Sequence, residues 1–62
     1  MKKSDAIDYF GSILGIVNAL NAAGHPIRAQ SVREWRQTIP ELRALQLHRL
    51  TNGALKYDPA AY

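Results

Sequence analysis

The chain contains no cysteine, so neither a disulfide nor a thiolate metal site is available to hold it together. Its two histidines, His25 and His48, have no cluster of carboxylates beside them, which argues against a metal centre and leaves no cofactor to expect. Long apolar runs are missing too. None approaches the ~20 residues that span a bilayer, and Met1-Lys2-Lys3 passes directly into Ser4-Asp5 where a signal peptide would continue into an apolar stretch. The expectation is a soluble cytoplasmic chain with no membrane partner. No set of nucleophile, base and orienting group can be assembled from so few residues, so neither enzymatic activity nor a small-molecule ligand is expected.

What remains is a chain of 62 residues, read as a single domain over 1–62. A domain of this size buries a modest share of its unfolded surface, so its stability margin is thin and pairing with a partner is physically reasonable. The net charge is +3, and its placement is more informative than its size. Lys2 and Lys3 are balanced by Asp5 and Asp8, and Lys56 by Asp58. The excess lies between residues 25 and 49, where Arg28, Arg33, Arg36, Arg43 and Arg49 face only Glu34 and Glu41. Arginine suits bidentate contacts with phosphate and guanine. A small basic protein can equally keep its arginines solvated, which is the simpler reading for Arg43 and Arg49.

The apolar spacing predicts an all-α chain. Ser4 is a good N-cap with Asp5 and Asp8 near the positive end of the dipole, and Ile7 and Phe10 share a face before Gly11, a short first helix. Ser12 caps a second helix in which Ile13, Ile16, Val17 and Leu20 recur at i, i+3, i+4 and i+7, running to Gly24, where a left-handed residue ends it. His25-Pro26 enforces a break, and Ile27 follows as an apolar plug. From about Ala29 to Gln37 a third helix has two stripes: Val32, Trp35 and Ile39 on one side, Gln30, Arg33, Glu34 and Gln37 on the other. Trp35 belongs to the packed stripe. Pro40 fits the first turn of a fourth helix with Ala44, Leu47 and Leu50 as its core stripe, ended by Asn52-Gly53. Leu42 and Leu45 fall off that stripe. With Leu55 and Tyr57 they are the candidates for a dimer contact, although Tyr57 equally suits the core edge. The tail from Ala54 to Tyr62 is open between an extended arm, a strand edge and a frayed end, and both histidines are expected to face solvent.

Two helices joined by a short Gly- and Pro-containing segment, the second bearing arginines and glutamines outward, are what a helix-turn-helix requires. Arginine forks onto guanine and glutamine onto adenine. Glu34 is open between accepting from a cytosine amino group and restraining a neighbouring arginine.

Several pieces taken together resemble the short Cro repressors of phages and prophages: Ser4-Asp5-Ala6-Ile7-Asp8-Tyr9-Phe10-Gly11, the valine and tryptophan of Ser31-Val32-Arg33-Glu34-Trp35, Ile39-Pro40-Glu41, Arg43-Ala44-Leu45-Gln46-Leu47, and Leu50-Thr51-Asn52-Gly53-Ala54-Leu55-Lys56-Tyr57. They extend over most of the chain in the family's order. The resemblance implies a compact four- to five-helix, lambda-repressor-like domain with its helix-turn-helix at about 12–37. It also implies a sequence-specific transcriptional repressor in the bacterial host cytoplasm, binding double-stranded operator DNA as a dimer. Carried over position by position, Arg28, Ala29, Gln30, Arg33 and Glu34 would face bases, while Ser12, Arg36 and Gln37 would meet phosphates. The sequence departs from the family where Asn21-Ala22-Ala23-Gly24-His25-Pro26 intervenes before Ile27 and where Val17 replaces a usual alanine, which implies a different angle or distance for the third helix. Two rival readings are a helix-turn-helix regulator or antitoxin of a toxin operon, and a protein-binding helical adaptor using Leu42, Leu45 and the tail.

Overall fold

In a computed structural model, which describes residues 1–62, the chain forms α1 (Lys3–Phe10), α2 (Ile13–Ala22), α3 (Ala29–Glu34) and α4 (Glu41–Leu50), then one 3-10 turn at Pro59–Ala61. There is no strand, only a single antiparallel bridge between Lys2 and Thr38. The apolar spacing of α2 places Ile16 and Leu20 at the centre, fully buried, and α2 is the element against which α1, α3 and α4 all pack. Ala6, Val32, Ala44 and Leu47 join them from the other helices, and Ile39 and Leu55 from the loops. No helix is long and apolar enough to cross a membrane.

Ser12 caps α2 as expected, its Oγ accepting from the Gly15 N–H at 3.0 Å. Ser4 does not cap α1. That helix starts two residues earlier than a Ser4 cap would set it, with Lys2 at the N-cap and no side chain contributing. The cause is backbone pairing: the Lys3 N–H donates to the Gln37 carbonyl at 2.8 Å, and the Ile39 N–H donates to the Met1 carbonyl at 2.9 Å. One of the first-turn donors a helix normally leaves unpaired is thereby satisfied from another segment.

The same pairing shortens the third helix. It ends at Glu34 and not at Gln37, because Trp35 takes φ −58 and ψ 139, and the chain then runs alongside residues 1–3. Ile39 is buried through this pairing and not as a continuation of the helical stripe. Pro40 sits at the N-cap of α4, one position before the first turn, and its carbonyl accepts from the Ala44 N–H at 2.9 Å.

Beyond α4 the backbone turns through Asn52 (φ 52) and Gly53 (φ 82), both left-handed, with the Gly53 N–H donating to the His48 carbonyl at 2.8 Å. Buried Thr51 donates to the Leu47 carbonyl at 2.7 Å and accepts from the Leu55 N–H at 3.1 Å. Leu55 is thus drawn into the core at 7% exposure, and its assignment as a dimer contact is corrected. His48 is half-buried and not simply solvent-facing, since its Nδ1 accepts from the Tyr57 N–H at 3.1 Å.

The tail is neither arm, strand nor frayed end. It folds back so that the Tyr57 and Tyr62 rings stack with centroids 5.8 Å apart. The Tyr62 hydroxyl donates to the Ile39 carbonyl and accepts from the Met1 ammonium at 3.4 Å. The Tyr57 hydroxyl donates to the Glu41 carboxylate, and that bond above all holds its pKa above the ordinary tyrosine value. Burial, then the Glu41 charge, raises that of Tyr62.

Where α1 meets α2, a Cβ on Gly15 would lie 2.5 Å from the Phe10 carbonyl oxygen and 3.1 Å from its Cβ. Intrinsic propensity favours alanine over glycine inside a helix by about 1 kcal/mol, whereas overpacking a tight contact costs about 1–3 kcal/mol. The clash is with backbone, which cannot swing aside, so the steric cost prevails. Gly15→Ala is expected to lower the urea midpoint by the equivalent of about 1 kcal/mol with an unchanged slope. A raised midpoint would contradict this contact.

Candidate nucleic-acid interface

α3 has six residues, and its polarity is divided by a single anchor. Val32 is fully buried, while Gln30, Ser31, Arg33 and Glu34 are exposed and Ala29 is half-buried. Arg28, at the N-cap, is extended and exposed. The Gln30 amide donates to Glu34 Oε2 at 3.4 Å, an i, i+4 pairing, so Glu34 is restrained by a glutamine and not by a neighbouring arginine. Among the five arginines, the one whose guanidinium is used within the chain is Arg43. The guanidiniums of Arg28, Arg33 and Arg36, in α3 and its flanks, make no hydrogen bond within the chain.

The connection into α3, residues 23–28, is built, not slack. Gly24 takes φ 84. Its N–H donates to the Asn21 carbonyl at 3.0 Å, and the His25 N–H reaches back to the Leu20 carbonyl at 2.9 Å, the paired closure that a left-handed residue after a helix permits. Asn21 Nδ2 donates to the Val17 carbonyl at 2.8 Å and to the Ile27 carbonyl at 3.0 Å. Arg43, reaching across from α4, donates through Nη2 to the Pro26 carbonyl at 3.3 Å and through Nη1 to Gln46 Oε1 at 3.0 Å. Half-buried Arg43 is thus a clamp on the turn, not part of a solvated face.

The exit of α3 is held as firmly. Lys3 Nζ donates to the Arg33 carbonyl at 3.0 Å and to the Trp35 carbonyl at 3.2 Å, placing a cation where the helix leaves its last carbonyls unpaired and its dipole is negative. Lys3, Asn21 and Arg43 were missed as site-building residues. Lys3 and Arg43 act across 32 and 17 positions, distances at which spacing carries no signal. Asn21 two residues before the helix-ending Ala23-Gly24 was the one local hint.

Arg36 and Gln37 are exposed but lie past the end of α3. They share a shallow concavity with Lys2, Lys3, Ser4 and Thr38. Ser12 is exposed, and its hydroxyl proton stays available for donation after the oxygen accepts from Gly15. On α4, Leu42 is 64% exposed and Leu45 half-buried. Tyr57, also half-buried, is tied into the chain by the contacts described above.

A family described as DNA-binding transcriptional regulator Cro matches residues 2–62. Regulatory protein cro of Salmonella phage P22 is 40% identical over 62 residues, covering 100% of this chain and 93% of that protein. The repressor protein of division inhibition gene dicB of Escherichia coli (strain K12) is 41% identical over 63 residues, covering 100% of this chain and 76% of its own length. No solved structure matches the chain. With the match running almost end to end over an all-helical fold, the chain belongs to the Cro family of DNA-binding transcriptional regulators.

Proposed function

We propose that the protein is a transcriptional repressor acting by occupancy. Bound as a homodimer to operator DNA in the cytoplasm of a bacterial host, it excludes polymerase or a competing regulator. The observation that carries this reading is α3 itself, with Val32 locked in the core and Arg33 exposed beside it with a free guanidinium. The dicB repressor among its relatives supports the same direction of control. Arg28, Ala29, Gln30, Arg33 and Glu34 read base edges, and Ser12, Arg36 and Gln37 meet the backbone. Residues 1–62 act as one module, with the helix-turn-helix now read over 12–34.

The two arginines nearest the end of α3 carry different duties. Arg33, one turn after Gln30 and on the side away from Val32, reaches a base edge, with guanine the best match to its fork. Arg36, beyond the helix, meets a phosphate. Log K for the cognate operator is expected to fall linearly with log salt, at about 0.9 per phosphate contacted. Arg33→Ala should cost about 1–3 kcal/mol and relax preference at one position of each half-site. Arg36→Ala should weaken cognate and random DNA alike and make the salt slope shallower. Binding-site selection from random DNA with each variant decides: an altered motif for Arg36→Ala and an unaltered one for Arg33→Ala would reverse the assignment, and a wild-type slope near zero would remove the reading altogether.

A single recognition helix reads too few base pairs for a useful specificity ratio, so two protomers bind half-sites about one helical turn apart. Leu42 and Leu45 supply the apolar part of the contact, with Tyr57 at its margin. Sedimentation of the saturated operator complex is expected to give two protomers; one would contradict the dimer.

A further inference from the structure

The two lysines at the start of the chain have no role in that reading, and in the sequence they are offset by Asp5 and Asp8. Neither carboxylate lines the concavity in which the fold places them. The Lys2–Thr38 bridge carries residues 2 and 3 to the loop after α3, where Lys2, Lys3 and Arg36 line one concavity with Ser4, Gln37 and Thr38 and with no acidic side chain. Three cations gathered from opposite halves of the sequence repel one another, and nothing in the concavity compensates them. Lys3 spends its ammonium on the carbonyls of Arg33 and Trp35. Lys2 and Arg36 remain exposed, with the Ser4 and Thr38 hydroxyls as neutral donors beside them.

We infer that this concavity is a binding site for one phosphodiester of the operator backbone, gripped by Lys2 together with Arg36. The inference rests on the proposed DNA-binding function and extends it to the amino-terminal segment. Continuity with the recognition surface selects the ligand. The same carbonyls that Lys3 holds belong to the end of α3, so an anion in the concavity lies beside the groove that α3 enters, where duplex DNA places a phosphate on each strand every ~3.4 Å along its axis. Lys3 shapes the site as a positioning residue, and Lys2 supplies its free charge.

Replacing operator phosphates one at a time by neutral methylphosphonates tests this, with wild type, Lys2→Gln/Arg36→Gln and Lys2→Arg compared at ~0.1 M salt. One linkage flanking each half-site is expected to weaken wild type roughly eightfold, the value of one phosphate contact relative to ~1 M salt. The same linkage should leave the doubly substituted protein unaffected and still weaken Lys2→Arg. Lys2→Gln alone should bind more weakly with the selected sequence unchanged. None of the three variants should melt below wild type, since both side chains are exposed and loss of their mutual repulsion does not destabilise the fold. Equal sensitivity of wild type and the doubly substituted protein at every linkage, or wild-type affinity for Lys2→Gln, would overturn the site while the steep salt slope keeps the DNA-binding reading intact. Loss of that slope in the wild type would remove both.

Discussion

A helix of six residues cannot hold itself. Helices below about 12–15 residues are marginal in water even in favourable sequences, and α3 has fewer than two turns in which to form internal bonds. Its orientation is therefore imposed from outside, and the rest of the structure is arranged to impose it. Val32 fixes its depth in the core. Asn21 and Arg43 fix the approach through the Ile27 and Pro26 carbonyls, and Lys3 fixes the exit through the Arg33 and Trp35 carbonyls. Each such bond contributes modestly, about 0.5–1.5 kcal/mol net, but together they leave the helix one way to lie. The proposed reading of base edges needs that, because a bidentate contact tolerates little displacement.

The ends of the chain take part in the same restraint. Ile39 donates to the Met1 carbonyl and accepts from the Tyr62 hydroxyl, so the first and last residues meet at one point of the loop that leaves α3. From there the chain runs through Lys2 and Lys3 back to the helix. A domain this small, without cysteine, has no covalent means of joining its ends, and this clasp of backbone and tyrosine contacts stands in that place. It also explains why the tail is folded back although its sequence has little periodicity: its partners are a carbonyl, a carboxylate and another ring, none of them local.

What was legible in the sequence is what depends on neighbours within a turn or two. The α2 stripe, the Ser12 cap and the left-handed Gly24 all follow from spacing, and so does the burial of Val32. The family likewise could be recognised from ordered short pieces. The end of α3 could not be read, because the pairing that terminates it comes from residues 1–3. Leu55 looked available for a partner because the Thr51 hydroxyl that turns it inward acts through a backbone conformation set by Asn52 and Gly53. Arg43 looked like one more solvated charge because its acceptor, the Pro26 carbonyl, is invisible until the long connection has a shape. These contacts hold that long connection to α2 and α4.

Restraint of α3 from outside is measured most directly by native-state amide exchange in Lys3→Met, which keeps the apolar stem of the side chain and removes its donors. The Val32 and Trp35 amides, which donate to the Arg28 and Val32 carbonyls, should lose protection selectively, while Ile16 and Leu20 on α2 keep theirs. Full protection at Val32 and Trp35, or an equal loss throughout the protein, would contradict a helix held in place from its exit.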